Sequence, residues 1–129
     1  MKKTSNIYQL QTCDLKILYT VSLLNEQNVY PLPEGVYLIL KGDEDEDIEK
    51  YSSLPTYKTL VSFPSKKVSR LIVMLVRYRY LEKIYDEATD EMYLKITDKG
   101  ERSLLDYRKK HKYNFVKKKV KKKKLFLEK

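Results

Sequence analysis

The sequence has few of the residues that cross-link small proteins or bind metal ions. It contains one cysteine, Cys13, and one histidine, His111, which excludes an internal disulfide and a zinc site built from cysteine and histidine. None of its three glycines belongs to a glycine-rich loop of the kind that cradles phosphates in nucleotide-driven motors. We therefore expect a non-catalytic chain with no cofactor, no metal ion and no small-molecule substrate.

Long apolar segments are also missing. No run approaches the roughly 18 apolar residues that a membrane span requires, and the N-terminal MKKTSNI has no apolar segment behind its lysines. With a single cysteine, these features predict a soluble protein of a reducing compartment: cytoplasmic, nucleoid-associated in a bacterium or nuclear in a eukaryote. The 129 residues suffice for one domain with a hydrophobic core.

The net charge of +9 is distributed unevenly along the chain. Residues 108–129 carry twelve lysines and arginines against one acid, and residues 51–81 carry six cations and no acid. Residues 41–50 and 82–107 are each net −4. Because the chain without residues 108–129 is net −2, its bulk charge predicts no anionic partner, and only the two electropositive segments could bind one.

The first half of the chain has helical periodicity with one ambiguous segment. Apolar spacing predicts a helix over 14–26, with Asp14 as its N-cap. In PEGVYLILKG the apolar run is typical of a buried strand, whereas Pro33 and Gly42 are typical of the start and stop of a short helix. The acidic segment that follows predicts another short helix, because Ile48 and Tyr51 are at helical spacing.

The clearest pattern lies in SFPSKKVSRLIVMLVRYRYL, residues 62–81. Its apolar residues recur at helical spacing and predict a helix over 64–80 that begins with Ser62 or Ser65 as cap; they are Val68, Leu71, Ile72 and Leu75. This helix is expected to bury its apolar stripe in the core.

A β-hairpin and a last helix follow. Ile84 marks the first strand, the polar turn DEATDE joins the strands, and Met92, Leu94 and Ile96 alternate in the second. Thr97 is expected to cap a helix that places Leu104 and Leu105 in the core. Helices followed by one hairpin predict a mainly α fold with a small β wing (α+β): a winged helix, the helix-turn-helix variant with a C-terminal β-hairpin.

Four segments carry a family resemblance: EGVYLILKGDEDEDIEKY, LPTYKTL, SKKVSRLIVMLVRYRYLEK and YLKITDKGERSLL. With them the chain resembles the RQC domain, the winged helix that follows the motor and zinc-binding parts of RecQ-type DNA helicases. The resemblance covers roughly residues 14–107 and implies that PEGVYLILKG is a helix. Residues 1–13 would then be an N-terminal extension and residues 108–129 a lysine-rich tail, which we expect to be disordered.

Candidate DNA contacts lie on the helix over 64–80. Lys66, Arg70 and Arg77 fall on one outward face, Lys67 borders it, and backbone amides from Ser65 onward add an anion site. Lys58 precedes them in the same acid-free segment. Such an array suits a phosphate backbone, although a basic face that is only solvated would have the same pattern.

The hairpin is the second candidate contact. In relatives with an RQC domain its tip can carry an aromatic wedge that stacks on a terminal base pair, and Tyr85 or Tyr93 would be that residue here. The turn DEATDE carries four carboxylates, which phosphates would repel. We therefore favour a short wing that does not penetrate the duplex, with both tyrosines as packing residues.

The function predicted from the sequence is DNA binding without catalysis. The resemblance implies a module that engages duplex or forked DNA, in or related to a RecQ-type helicase, with a helicase motor domain as partner and no membrane contact. One alternative is a protein-interaction winged helix that uses Val73, Met74 and Tyr78 as its contact. Another is a dimeric transcriptional regulator that reads a palindrome.

Overall fold

The computed structural model describes residues 8–110 and 125–128 of the chain. Within these residues the helices are α1 (Thr12–Glu26), α2 (Pro33–Lys41), α3 (Glu46–Glu49), α4 (Ser65–Arg77) and α5 (Asp98–Lys110). The strands are β1 (Val29–Pro31), β2 (Leu81–Asp86), β3 (Glu91–Ile96) and β4 (Phe126–Glu128). The fold is helix-rich with two small antiparallel sheets, and it is compatible with the predicted α+β class.

Helix α1 begins two residues before the predicted start, and Asp14 is not its N-cap. Gln11 is the N-cap, and its backbone N–H donates to Oδ2 of Asp14 at 2.9 Å, so Asp14 occupies the third helical position of a capping box. The Asp14 carboxylate is buried and also accepts a hydrogen bond from the Tyr8 hydroxyl at 3.1 Å. Burial raises the pKa of Asp14 above its usual value, although both hydrogen bonds oppose the rise.

The ambiguous segment is a helix, as the resemblance implied. Pro33 opens α2, where its missing N–H costs no hydrogen bond, and Gly42 ends it with a left-handed φ of 81°. The predicted acidic helix is also present as α3, with Asp45 accepting from the Asp47 amide at 2.9 Å. Both short helices lie between α1 and α4 in the chain.

Helix α4 is shorter than predicted at both ends. Its N-cap is Pro64, without any side-chain cap, so neither Ser62 nor Ser65 caps it. The helix ends at Arg77, three residues before the predicted end, because Arg79 takes a left-handed backbone conformation that a helix cannot continue through. The apolar stripe packs inward as expected, with Leu71 at its half-buried edge.

The hairpin and α5 differ from the prediction in which apolar residues are buried. Strands β2 and β3 pair antiparallel, but Met92 is exposed, while the consecutive Tyr93 and Leu94 are both fully buried. Consecutive residues of a strand point to opposite faces, so the burial of both shows that each face of β3 is covered there and strict alternation fails. The Thr97 hydroxyl caps α5 as expected by accepting from the Gly100 amide at 3.0 Å. Leu105, in contrast to the prediction, is exposed.

The C-terminal residues correct the expected tail. Helix α5 continues past Tyr107 to Lys110, and β4 pairs with β1, with Pro31 opposite Phe126. Phe126 is buried, and its ring centroid lies 4.8 Å from that of Tyr51. The apolar triplet LFL at 125–127 explains why this end joins the core. Residues 111–124, which carry most of the predicted disordered tail and include His111, lie outside the described residues.

The predicted N-terminal extension also contacts the domain in its described part, residues 8–13. The Tyr8 ring stacks on Tyr78 with centroids 5.2 Å apart, just beyond the end of α4. Leu10 and Cys13 pack against the core. Through the Tyr8–Tyr78 contact, residues 8–13 therefore pack against the C-terminal end of α4.

Candidate nucleic-acid interface

One face of α4 presents cations to solvent. Because Val68, Ile72 and Leu75 are buried, the 100° step between helical residues directs Lys66, Arg70 and Arg77 away from the core. All three side chains are exposed, and so is Lys67 beside them. We call these four residues the α4 basic face. Its predicted members are thus brought together by the helix.

The α4 basic face has no internal counter-charge among the described residues. The ion pairs found within residues 8–110 and 125–128 involve Lys50 and Arg108, and none includes a cation of α4. Lys67 instead places its ammonium 4.6 Å from the ring centroid of Phe63. Since none of these cations forms an ion pair with a described carboxylate, they are available to an anion from outside.

The N-terminal end of α4 adds backbone donors to the same surface. The amides of Lys67 and Val68 donate to the Pro64 carbonyl at 3.0 and 3.3 Å. The amides of Ser65 and Lys66 come earlier in the first turn, where a helix offers no acceptor, and no side chain caps them. This end of the helix therefore carries partial positive charge beside Lys66 and Lys67.

Lys58 is not part of this group. Its side chain packs over Gly42 and lines a surface cleft together with Glu44, Glu46 and Glu49. In that cleft the three glutamates outnumber Lys58 and Lys50, so Lys58 adds no net positive charge there. Lys58 lies in an acid-free segment of the sequence. In the fold, however, it lines the same cleft as Glu46 and Glu49 of the acidic helix α3.

The two hairpin tyrosines have opposite environments. Tyr93 has 0% exposure, and its hydroxyl donates to the Thr89 hydroxyl at 3.0 Å, so it is a packing residue. Tyr85 is 57% exposed and its hydroxyl donates to Oδ1 of Asp90 at 2.6 Å. That hydrogen bond, more than desolvation, raises the pKa of Tyr85. Of the two candidates, Tyr85 alone could reach a partner.

A second basic surface was missed by the sequence reasoning. A cleft of about 510 Å³ lies where the end of α4, the base of β2 and the start of α5 meet. Its cations are Arg77, Arg79, Lys83 and Lys99, and its acids are Glu82 and Asp98. Arg79 belongs to the acid-free segment 51–81. The predicted helix ran to residue 80 and so included Arg79, which in the structure lies beyond the end of α4.

Comparison with known families supports the resemblance. The family model of the RQC domain matches residues 34–124, which is more than half of the chain. The chain belongs to the RQC domain family. This match confirms the family predicted from the four sequence segments, and the family is a non-catalytic one. A search of curated proteins finds no match to the chain.

The described part of this RQC domain offers no metal-binding group. Within residues 8–110 and 125–128, no cluster of three or more histidine, cysteine, aspartate or glutamate side chains could hold an ion, and this includes the acidic α3 region. In the same residues, no helix combines the length and the apolarity that would let it cross a bilayer.

Proposed function

We propose that this RQC domain is a winged-helix module that binds DNA through phosphate contacts on the α4 basic face. The observation that carries the proposal is the acid-free, solvent-exposed line of Lys66, Arg70 and Arg77, which spans about 16 Å along the helix. Cations spread over that length can contact several phosphates of one DNA backbone. Membership of the RQC family supports the proposal and associates the module with a RecQ-type helicase.

Binding of this kind is driven by ion release from the DNA. Each lysine or arginine that neutralises a phosphate frees a condensed counterion, so affinity falls steeply as salt rises. The amides of Ser65 and Lys66 add directed donors at one end of the α4 basic face. Because phosphates carry no sequence information, the module is expected to tolerate unrelated sequences.

The hairpin is proposed to stay outside the duplex. Four carboxylates occupy its distal end: Asp86, Glu87, Asp90 and Glu91. Driving them between the strands would bring like charges close to phosphates, which is unfavourable. The exposed ring of Tyr85 is held by Asp90 and lies beside its cross-strand partner Met92, so stacking on a base is secondary to the phosphate contacts.

Titration of the complete chain with duplex, forked and single-stranded DNA at two salt concentrations tests the proposal. The complete chain is required because β4 packs in the core. Lys66→Gln, Arg70→Gln and Arg77→Gln should each weaken binding by about 1 kcal/mol, similarly for unrelated sequences, and lower the salt slope by about one. Lys41→Gln removes an exposed cation beside the acidic run and serves as the charge-matched control.

The lysine run of residues 117–124 can bind DNA nonspecifically and mask these effects. The titrations are therefore repeated with its seven lysines replaced by glutamine, which leaves residues 125–128 unchanged. If the three α4 variants bind as tightly as the parent in that background, the basic face is only solvated and the proposal fails.

A protein-interaction module is the second candidate. Val73 lies in the middle of the α4 basic face and is 53% exposed, which suits an apolar contact with another protein. Tyr78, also expected in that contact, is instead stacked on Tyr8. Failure to bind any of the three DNA forms would remove both the helicase-type module and the dimeric regulator, and it would favour this candidate.

A further inference from the structure

Two helices of this domain end in the same hydrogen-bonded motif with different residues at its critical position. At the end of α2 the amides of Gly42 and Asp43 donate to the carbonyls of Ile39 and Leu38 at 3.1 and 3.0 Å. This is a Schellman motif, in which the residue after the cap takes a left-handed conformation and is usually glycine. Gly42 fits that rule with its φ of 81°.

At the end of α4 the position is occupied by Arg79. Its amide donates to the Val76 carbonyl at 3.1 Å, and the Tyr80 amide donates to the Leu75 carbonyl at 2.9 Å. Arg79 therefore has a φ of 68°, a conformation that residues with a Cβ atom disfavour. An unfavourable backbone conformation that persists where glycine would fit better points to a role for the side chain.

The neighbouring elements hold this turn in place. The Thr97 hydroxyl donates to the Arg79 carbonyl at 2.6 Å, and the Lys99 ammonium donates to the Tyr78 carbonyl at 2.8 Å. The Thr97 amide donates to the Tyr80 carbonyl at 3.2 Å. These bonds tie the start of α5 to the end of α4, so the backbone that carries Arg79 is fixed from both sides.

The side chain of Arg79 lines the cleft between α4, β2 and α5 together with Lys83. The Lys99 ammonium already donates a hydrogen bond to the Tyr78 carbonyl and lies 4.4 Å from the ring centroid of Tyr80. Arg79 and Lys83 make no ion pair or side-chain hydrogen bond with any described residue. The cleft is continuous with the α4 basic face, because Arg77 belongs to both.

We propose that Arg79, with Lys83, forms a second phosphate-binding point that receives the DNA backbone as it leaves the α4 basic face. The proposal rests on the proposed function and adds to it the path that the DNA backbone takes across the domain. The backbone would pass the base of the hairpin, where the four cations of the cleft outnumber its two acids, Glu82 and Asp98, and it would avoid the four carboxylates of the distal end. In this proposal the Arg79 side chain supplies a phosphate contact that a glycine at the same position could not make.

The test compares Arg79→Gly, Arg79→Gln and Lys83→Gln with Arg70→Gln and the control Lys41→Gln, all in the chain whose seven tail lysines are glutamine. DNA affinity and salt slope are measured with a duplex, and the thermal midpoint without DNA. Arg79→Gly and Arg79→Gln should each lower affinity about five-fold and reduce the salt slope by about one. Arg79→Gly alone should raise the thermal midpoint by about 2–5 °C, because glycine relieves the left-handed conformation.

The outcomes separate the two proposals. If Arg70→Gln weakens binding while both Arg79 variants and Lys83→Gln bind within two-fold of the parent, the second phosphate point is refuted and the α4 basic face stands. If Lys66→Gln, Arg70→Gln and Arg77→Gln are all without effect as well, the proposed function itself fails. A loss of affinity in Arg79→Gly together with a higher thermal midpoint cannot come from unfolding, and it supports the proposal.

Discussion

The C-terminal strand should be necessary for stability, and Phe126→Ala tests this. The Phe126 side chain is 3% exposed and packs against the ring of Tyr51. It also lies so close to Gly35 that a Cβ atom added there would be 3.2 Å from the Phe126 ring. If β4 stays in place, the substitution leaves a cavity, and such changes cost about 3–5 kcal/mol. If β4 instead detaches, the burial of Phe126 and Leu127 and the pairing with β1 are all lost, and regained chain entropy offsets part of that loss. The burial of one large side chain, about 1.5–3 kcal/mol, sets the scale of the net loss.

Either route predicts a loss of at least about 1.5 kcal/mol, against a total stability of about 5–15 kcal/mol for a domain of this kind. The thermal midpoint should fall by at least about 5 °C. Urea denaturation followed by circular dichroism gives the free energy of unfolding, and tyrosine fluorescence gives a second signal because the chain has no tryptophan. Removal of residues 125–129 should have an effect of similar size.

Tyr85→Ala is the matched control, since it also removes an aromatic side chain but from an exposed site. It should change the free energy of unfolding by about 0.5 kcal/mol or less. If Phe126→Ala is as mild as this control, β4 contributes nothing to the core, and the sequence-based expectation of a disordered tail is supported for this segment.

Three further outcomes are expected. Leu75→Ala should cost about 2–5 kcal/mol of stability through a cavity in the core, while the folded fraction keeps its DNA affinity, as urea denaturation and titration would show. Arg108→Met should cost about 1–3 kcal/mol in urea denaturation, because the guanidinium joins α5 to α1 through Glu26 at 2.7 Å; no change would mean that the pair is only a surface contact. Burial, aided by Asp14, raises the pKa of Tyr8 to about 12, so the folded state favours the neutral hydroxyl, and that stability is full below pH 10 and lost as pH rises through 12. Tyr8→Phe should therefore lose less unfolding free energy than the parent between pH 9 and pH 12, and an identical loss would contradict the assignment.

The candidate interface was largely readable from the sequence where it depends on one helix. The spacing of Val68, Ile72 and Leu75 fixes which side of α4 is buried, so it also fixes that Lys66 and Arg70 face outward. Local signals of this kind need no knowledge of distant residues. The same holds for the Thr97 cap, whose partner amide is three residues away.

Residues outside regular helices were less predictable. Lys58 and Arg79 both take left-handed conformations in turns, and their surroundings come from other parts of the chain: Glu44 and Glu46 near Lys58, and Lys83 near Arg79. Along the sequence both cations fall in the same acid-free segment. In the fold, Lys58 lines a cleft with three glutamates, whereas Arg79 lines a cleft in which cations predominate.

The sequence by itself determined the helices, the hairpin, the family and the basic face of α4, because each depends on spacing within about twenty residues or on a recognisable segment. Tertiary structure alone decided that Phe126 pairs beside β1, that Tyr93 is buried while Tyr85 is exposed, and that Arg79 occupies a glycine position above a basic cleft. The physical reason is that strand pairing and burial join residues far apart in the chain. Their energies depend on which surfaces meet, and no local pattern records that.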